Sequence, residues 1–257
     1  MSVLRQARLA TLRAEIAALE RPLPAPGEVA PFGDARLDAC LPGGGLGLGR
    51  WHEIASEGLE LETCAAGAGF VARLAAPLAR RGELVWVLRR DDLYAPGLAG
   101  LGLPPERLIQ VCAPSEAEVM AVLEDALRTP GVAGAIGEAD GVDLVGGRRL
   151  QLACEQGGAT GFLLRRRPFG GEGRDADGGL AAATRWRVAP APSEPAAGEP
   201  GLGRPRWSAR LERCRGGRTG AWILEATEED DAPHPFRLVA ELADHDLAAQ
   251  AQLRLAG

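Results

Sequence analysis

Between Gly43 and Gly69 the chain reads GGGLGLGRWHEIASEGLELETCAAGAG, and this stretch constrains the fold more than any other. A glycine run leads into a short strand-like segment, Arg50-Trp51-His52-Glu53-Ile54. A small-residue loop follows, and an Ala- and Leu-rich helix is predicted over 67–81. Strand, loop and helix in this order form the frame of a phosphate-binding loop. The chemistry of that loop is missing. It requires G-x-x-x-x-G-K-[ST], because the Lys amine reaches the terminal phosphates and the hydroxyl holds Mg²⁺. The chain has 29 basic residues and every one is arginine. The motif is therefore excluded, and the expectation is a nucleotide-binding frame that takes no nucleotide in the usual way and carries no cofactor.

A chain of 257 residues fits one sizeable α/β domain, with or without a small appendage. Its net charge of −6 argues against binding nucleic acid over the whole surface, so any such binding must come from a local patch. Cysteines at 40, 64, 112, 154 and 214 form no C-x-x-C pair and have no histidine nearby in sequence, which speaks against zinc. They fit buried thiols in a reducing cytoplasm. No apolar run reaches about 18 residues, so no membrane span is expected. The first residues lack an apolar signal core, and Glu15 and Glu20 argue against a transit peptide. The expected location is cytoplasmic.

Three segments are expected. Residues 1–26 form a helix and a Pro-rich linker, 27–245 form the core, and 246–257 form a tail. Over 3–20, Leu9, Leu12, Ile16 and Leu19 make one apolar stripe, and Pro22 and Pro24 end the helix. Two alternatives stay open for that helix: it packs on its own domain, or it docks on a neighbouring subunit or a partner. Leu37–Leu41 suits one helical turn. No G-x-G-x-x-G occurs, and the glycine run precedes its strand, so a dinucleotide site is excluded. Apolar runs at 83–88, 108–112, 131–138 and 160–165 read as strands. They alternate with helices at 115–128 and 148–156, the first opened by a Ser115/Glu118 capping box. This pattern gives a mostly parallel sheet with helices on both faces. Residues 167–182 are rich in Gly and Asp. A strand at 183–189, a Pro/Gly/Glu-rich stretch at 190–205, and a hairpin of 207–214 with 221–226 follow. The segment 236–255 reads as a last helix or a loose end.

The order of these parts resembles the core of RecA-type recombinases. Gly47-Leu48-Gly49-Arg50-Trp51-His52-Glu53-Ile54 is similar to the turn and first strand before the phosphate loop. Leu84–Leu88 with Arg89-Arg90-Asp91-Asp92 is similar to the second core strand, which ends in a catalytic carboxylate there. Ala135-Ile136-Gly137-Glu138 falls where the Walker B strand would end. Thr184–Val188, Arg206–Arg213 and Ala221–Glu225 resemble the three antiparallel strands that close the RecA core. Within that superfamily the chain is most similar to the ImuA family of damage-inducible translesion cassettes. The segments that carry this are His52-Glu53-Ile54, Asp91–Leu98, Thr184–Ser193, and Arg213-Cys214-Arg215 with Gly217, Arg218 and Trp222. The resemblance spans about residues 1–245. It implies an α/β, RecA-like twisted sheet with antiparallel C-terminal strands. It also implies a helper that works with an ImuB-type inactive Y-family polymerase homologue and an error-prone polymerase, with RecA or a second copy as further partner candidates. The missing lysine departs from RecA itself and sets ATP binding aside.

Asp91, Asp92 and Glu138 are the carboxylates placed as metal or catalytic groups would be. With no phosphate loop they are expected to be structural, Asp91 and Asp92 pairing with Arg89 and Arg90. His52 lies inside a strand and is expected to be a hydrogen-bonded core histidine. Ser56 has no partner pattern for a nucleophile. No catalytic, cofactor-binding or metal residue is expected. Arg165, Arg166, Arg167 and Arg174 leave a strand into a Gly-rich loop and are the candidate contacts to single-stranded DNA. Glu172, Asp175 and Asp177 dilute that patch, and Phe169 is its only aromatic residue. Leu9, Leu12, Ile16 and Leu19 are the candidate partner or oligomer contacts. The expected function is a non-catalytic RecA-like accessory protein. A RecA-type ATPase acting on single-stranded DNA and a SulA-like division regulator are the alternatives; the length of the core speaks against the second.

Overall fold

A computed structural model describes residues 27–57, 60–166, 181–195, 198, 200–227 and 234–242, with side chains in the first long helix from Ala65 onward. The predicted helix over 3–20 and the tail over 246–257 lie outside these residues, as do Arg167 and Arg174. Among the described residues no helix is long and apolar enough to cross a membrane.

Eleven strands, five α-helices and two short 3₁₀ helices follow one another among the described residues. Short β1 (Val29–Ala30) and β2 (Leu46–Gly47) pair with each other across helix α1 (Ala35–Asp38). The core alternates: β3 (Trp51–Ser56), α2 (Glu60–Ala75), β4 (Glu83–Leu88), α3 (Ala95–Ala99), β5 (Leu108–Cys112), α4 (Glu116–Arg128), β6 (Val132–Ala139), α5 (Leu144–Gly157) and β7 (Thr160–Arg165). Four more strands close it: β8 (Thr184–Ala191), β9 (Arg206–Cys214), β10 (Gly220–Ala226) and β11 (Phe236–Glu241). Nine strands form one sheet in the order β11-β10-β9-β8-β3-β7-β6-β4-β5. The pairs from β8 to β5 are parallel, and those from β8 to β11 are antiparallel. This is the expected RecA-like α/β fold.

Local chemistry sets the helix ends. Ser115 Oγ accepts from the Glu118 amide at 3.2 Å and starts α4. Asp143 accepts from the Gly146 amide at 2.7 Å and starts α5. Gly158, with φ of 77°, ends α5 in the left-handed region and donates to Cys154 O. α5 thus begins four residues before the sequence-predicted start at 148, and α2 begins at Glu60 rather than 67. Of the segment 236–255, expected to be helical or loose, Phe236–Glu241 forms β11 because it pairs with β10, and 243–255 lie outside the described residues. The glycine run is not a free tether, since Gly43, Gly44 and Gly49 turn the chain at positive φ around β2.

Each face of the sheet carries a core. Beneath α2, Ile54, Trp86, Ile136, Phe162, Trp186, Trp207, Trp222 and Phe236 pack with Phe32 and Phe70. Beneath α4 and α5 lie Trp51, Val85, Val87, Ala135 and Leu163. Arg73 of α2 is buried and ties three loops together, donating to the backbone oxygens of Leu101, Thr227 and Pro235. Cys40 and Cys154 are buried as expected, but Cys112 is exposed because β5 is the sheet's edge strand.

Candidate functional site

In open parallel sheets, sites form at the carboxyl ends of the strands. There β4, β6 and β7 bring together three residues that lie far apart in sequence. Glu138, near the end of β6, is fully buried. Its Oε1 accepts from Trp86 Nε1 at 2.9 Å and its Oε2 from Arg166 Nη1 at 2.9 Å. Arg166 is the first residue past β7 and is 7% exposed. The same guanidinium donates through Nη1 and Nη2 to both carboxylate oxygens of Asp92, each at 3.1 Å. Asp92 lies beyond β4, and the Arg166 amide is fixed to Ala139 O at 3.0 Å. Burial raises the Glu138 pKa above the carboxylate range, the charge of Arg166 and the bond from Trp86 pull it back, and Asp92 adds to the rise. One fork therefore pairs with two of the carboxylates placed as metal or catalytic groups would be. The planar, five-donor guanidinium suits this double task.

The surrounding edge is laced in the same way. Arg165 Nε donates to Asp140 O at 2.8 Å, and its Nη1 lies 3.6 Å from Glu53. Buried Glu53 also pairs with Arg185 at 3.1 Å. Arg89 pairs with Glu116 at 3.2 Å rather than with Asp91 or Asp92. Arg90 comes within 4.0 Å of Asp92, so of the expected Arg89-Arg90 pairing only this long contact is present. Asp91 is exposed. Of the four candidate DNA contacts, Arg165 and Arg166 thus point into ion pairs at the sheet edge, while Arg167 and Arg174 are outside the described residues. The stripe Leu9, Leu12, Ile16 and Leu19 is outside them too.

The corner between β3 and α2 is where triphosphate would sit in this frame. No arginine occurs between Arg50 and Arg73, whereas Glu53, Glu57, Glu60 and Glu62 fall within that span. A helix N-terminus attracts anions, and here the sequence supplies its own. The described residues beside the corner pack closely. The Glu57 amide donates to Val188 O at 2.7 Å. A Cβ added at Gly67 of α2 would lie 2.4 Å from Ser56 Oγ, so that glycine lets the helix approach the strand end. Ser56 Oγ is buried and unpaired among the described residues, with no base beside it.

His52 is structural. Its Nε2 donates to Gly47 O at 2.9 Å, which leaves Nδ1 to accept from the Thr184 hydroxyl at 2.8 Å. Burial lowers its pKa to about 4, so the ring is neutral at pH 7 and clamps β2 and β8 to β3. Sequence reasoning found His52, Asp92 and Glu138 but gave Arg166 a different task. The available signal was the Arg165-Arg166-Arg167 run closing a strand whose neighbour carries Glu138 near its end.

No family model matches the chain. Two curated relatives do. Protein ImuA of Caulobacter vibrioides strain NA1000 / CB15N is 57% identical over 229 residues, covering 87% of this chain and 94% of the relative. Protein ImuA of Caulobacter vibrioides strain ATCC 19089 / CIP 103742 / CB 15 matches to the same extent. With identity this high over nearly the whole of both chains, and with a RecA-like sheet beneath it, the chain belongs to the ImuA family.

Proposed function

We propose that the chain is a non-catalytic, RecA-like accessory protein of damage-inducible, error-prone translesion DNA synthesis. It acts in the cytoplasm as an adaptor between an ImuB-type Y-family polymerase homologue and an error-prone polymerase. Family membership supports the setting. One observation carries the non-catalytic part: Arg166 occupies the space between Asp92 and Glu138 and satisfies both. Chemistry on a triphosphate needs a cation there that is free to meet phosphate, and needs the carboxylates free to hold Mg²⁺. The lack of any lysine supports the same reading.

An adaptor must bind its partner without fuel. Purified full-length protein should therefore co-elute with the ImuB-type homologue on a sizing column, to the same extent with and without MgATP. Absence of a complex, or a complex that forms only with MgATP, contradicts the adaptor reading. The apolar stripe Leu9, Leu12, Ile16 and Leu19 is the proposed contact, since an isolated helix of that length needs a surface to bury against.

A further inference from the structure

The outer face of β8 to β11, opposite the aromatic core, carries two charged rows of different make-up. Trp186, Trp207, Trp222 and Leu224 turn to the aromatic core. Strand alternation therefore sends Arg187, Arg210, Ala221 and Glu225 outward. At one end of this face Glu225 stands between Arg206 and Arg237 in the ladder. It pairs with both, with Arg206 at 2.6 Å. At the other end the row reads Arg187, Arg210, Ala221 and Leu242. Arg187 faces Arg210, Arg210 faces Ala221, and the Leu242 amide donates to Ala221 O at 2.8 Å. That row carries no carboxylate of its own. Like charges directly opposed destabilise a sheet. Glu212 relieves Arg187. Arg210 has no ion pair or hydrogen bond among the described residues, and its Nε is shielded from water without an acceptor. Shielded donors without partners are rare in folded proteins and ask for an acceptor. Between the two rows, half-buried Ile223 and Ala240 face each other and form an apolar floor.

We propose that the end of this chain supplies the missing carboxylate: the segment 243–257 turns back over the face, with Asp244 or Asp246 on Arg210 and Leu247 on the floor of Ile223 and Ala240. The described chain leaves the face at Leu242, two ladder spacings or about 10 Å from Arg210. Asp244 and Asp246 follow Leu242 by about 7 and 13 Å of extended chain, so both reach a guanidinium on that row. They are the last two acidic residues of the sequence. A carboxylate matches the guanidinium fork, and placed beside Arg210 it offsets the opposing charge of Arg187. The row at the other end, where Glu225 sits between two arginines, shows the arrangement that this contact would complete. A segment tethered this close to its site holds a high effective concentration there, which a separate acidic peptide would have to exceed. The inference is independent of the adaptor reading. It uses neither the ion pairs that close the ends of β6 and β7 nor the stripe Leu9, Leu12, Ile16 and Leu19.

The test exploits the absence of lysine. Arg210→Lys in the full-length protein introduces a single side-chain amine. A carbodiimide then joins that amine to the carboxylate that touches it, and peptide mass spectrometry of the monomer identifies the partner. The expected link is to Asp244 or Asp246, and adding Asp244→Asn/Asp246→Asn should remove it. A second measurement leaves Arg210 in place. Trypsin cutting after Arg254 releases Leu255-Ala256-Gly257, and Asp244→Asn/Asp246→Asn should speed that release about two- to fivefold. Cleavage follows the open population, and an exposed ion pair shifts that population by about this factor. No link to the segment 243–257, a link to Glu212 alone, or equal release rates would overturn the proposal. So would a link found only between two copies, which would assign the face to a neighbouring molecule.

Discussion

Arg166→Ala should cost about 3–5 kcal/mol of stability, because it leaves a buried carboxylate without its cation. Glu138 is fully enclosed, and Trp86 Nε1 alone cannot replace a guanidinium held at 2.9 Å. Asp92, with its side chain 31% exposed, can turn toward water, so the loss falls mainly on Glu138. Burial already raises the Glu138 pKa, and removing Arg166 removes the largest influence that opposes the rise. The sign follows. A carboxyl whose folded pKa lies above its unfolded one is favoured when protonated, so the folded state is penalised as pH climbs through the folded value. The variant should be weakest at neutral pH and recover part of its deficit in mild acid. Adding Glu138→Gln should restore much of the loss at pH 7, since the amide needs no countercharge. Denaturant melts of the three proteins at pH 5 and 7.5 check this. A single variant within 1 kcal/mol of the parent at pH 7.5 would mean that Arg166 is dispensable to the edge.

Trp186→Ala should lose a similar amount, about 3–5 kcal/mol, through the cavity it opens. Trp186 is fully buried at the middle of the sheet's antiparallel junction. Its ring lies 5.5 Å from Phe32, 5.9 Å from Phe70 and 6.1 Å from Trp222, centroid to centroid. Its Nε1 donates at 2.9 Å to Thr184 Oγ1, the same hydroxyl that meets His52. The substitution therefore empties the aromatic cluster and slackens the clamp between β3 and β8. Trp186→Phe, which keeps most of the volume, should lose clearly less. Urea melts followed by circular dichroism give both numbers without relying on tryptophan emission. Equal losses for the two variants would place the effect in the indole hydrogen bond rather than in packing.

What could be read from the residues depended on whether the determining force was local. The runs Leu84–Leu88 and Phe162–Leu164 announced buried parallel strands because both of their faces are covered. His52 was legible as a core residue because it sits inside such a strand. α5 was placed too late because Gly146 and Gly147 resemble a loop, whereas the Asp143 cap and the burial of Gly147 and Leu150 hold them in a helix. β11 was missed because Leu238, Val239 and Leu242 fit no clear period, and only pairing with β10 makes that segment a strand. Arg166 was the deepest miss. Its partners are 74 and 28 residues away, and no periodicity reports that three strand ends meet. Charge runs at strand ends look solvated until the topology shows what stands beside them.

The proposed closure of the nucleotide corner by Arg166 is tested most directly by titration calorimetry with MgATP. Full-length protein should give no saturable heat up to millimolar MgATP and no phosphate release above background. Saturable binding at micromolar concentration, or measurable turnover, would contradict it.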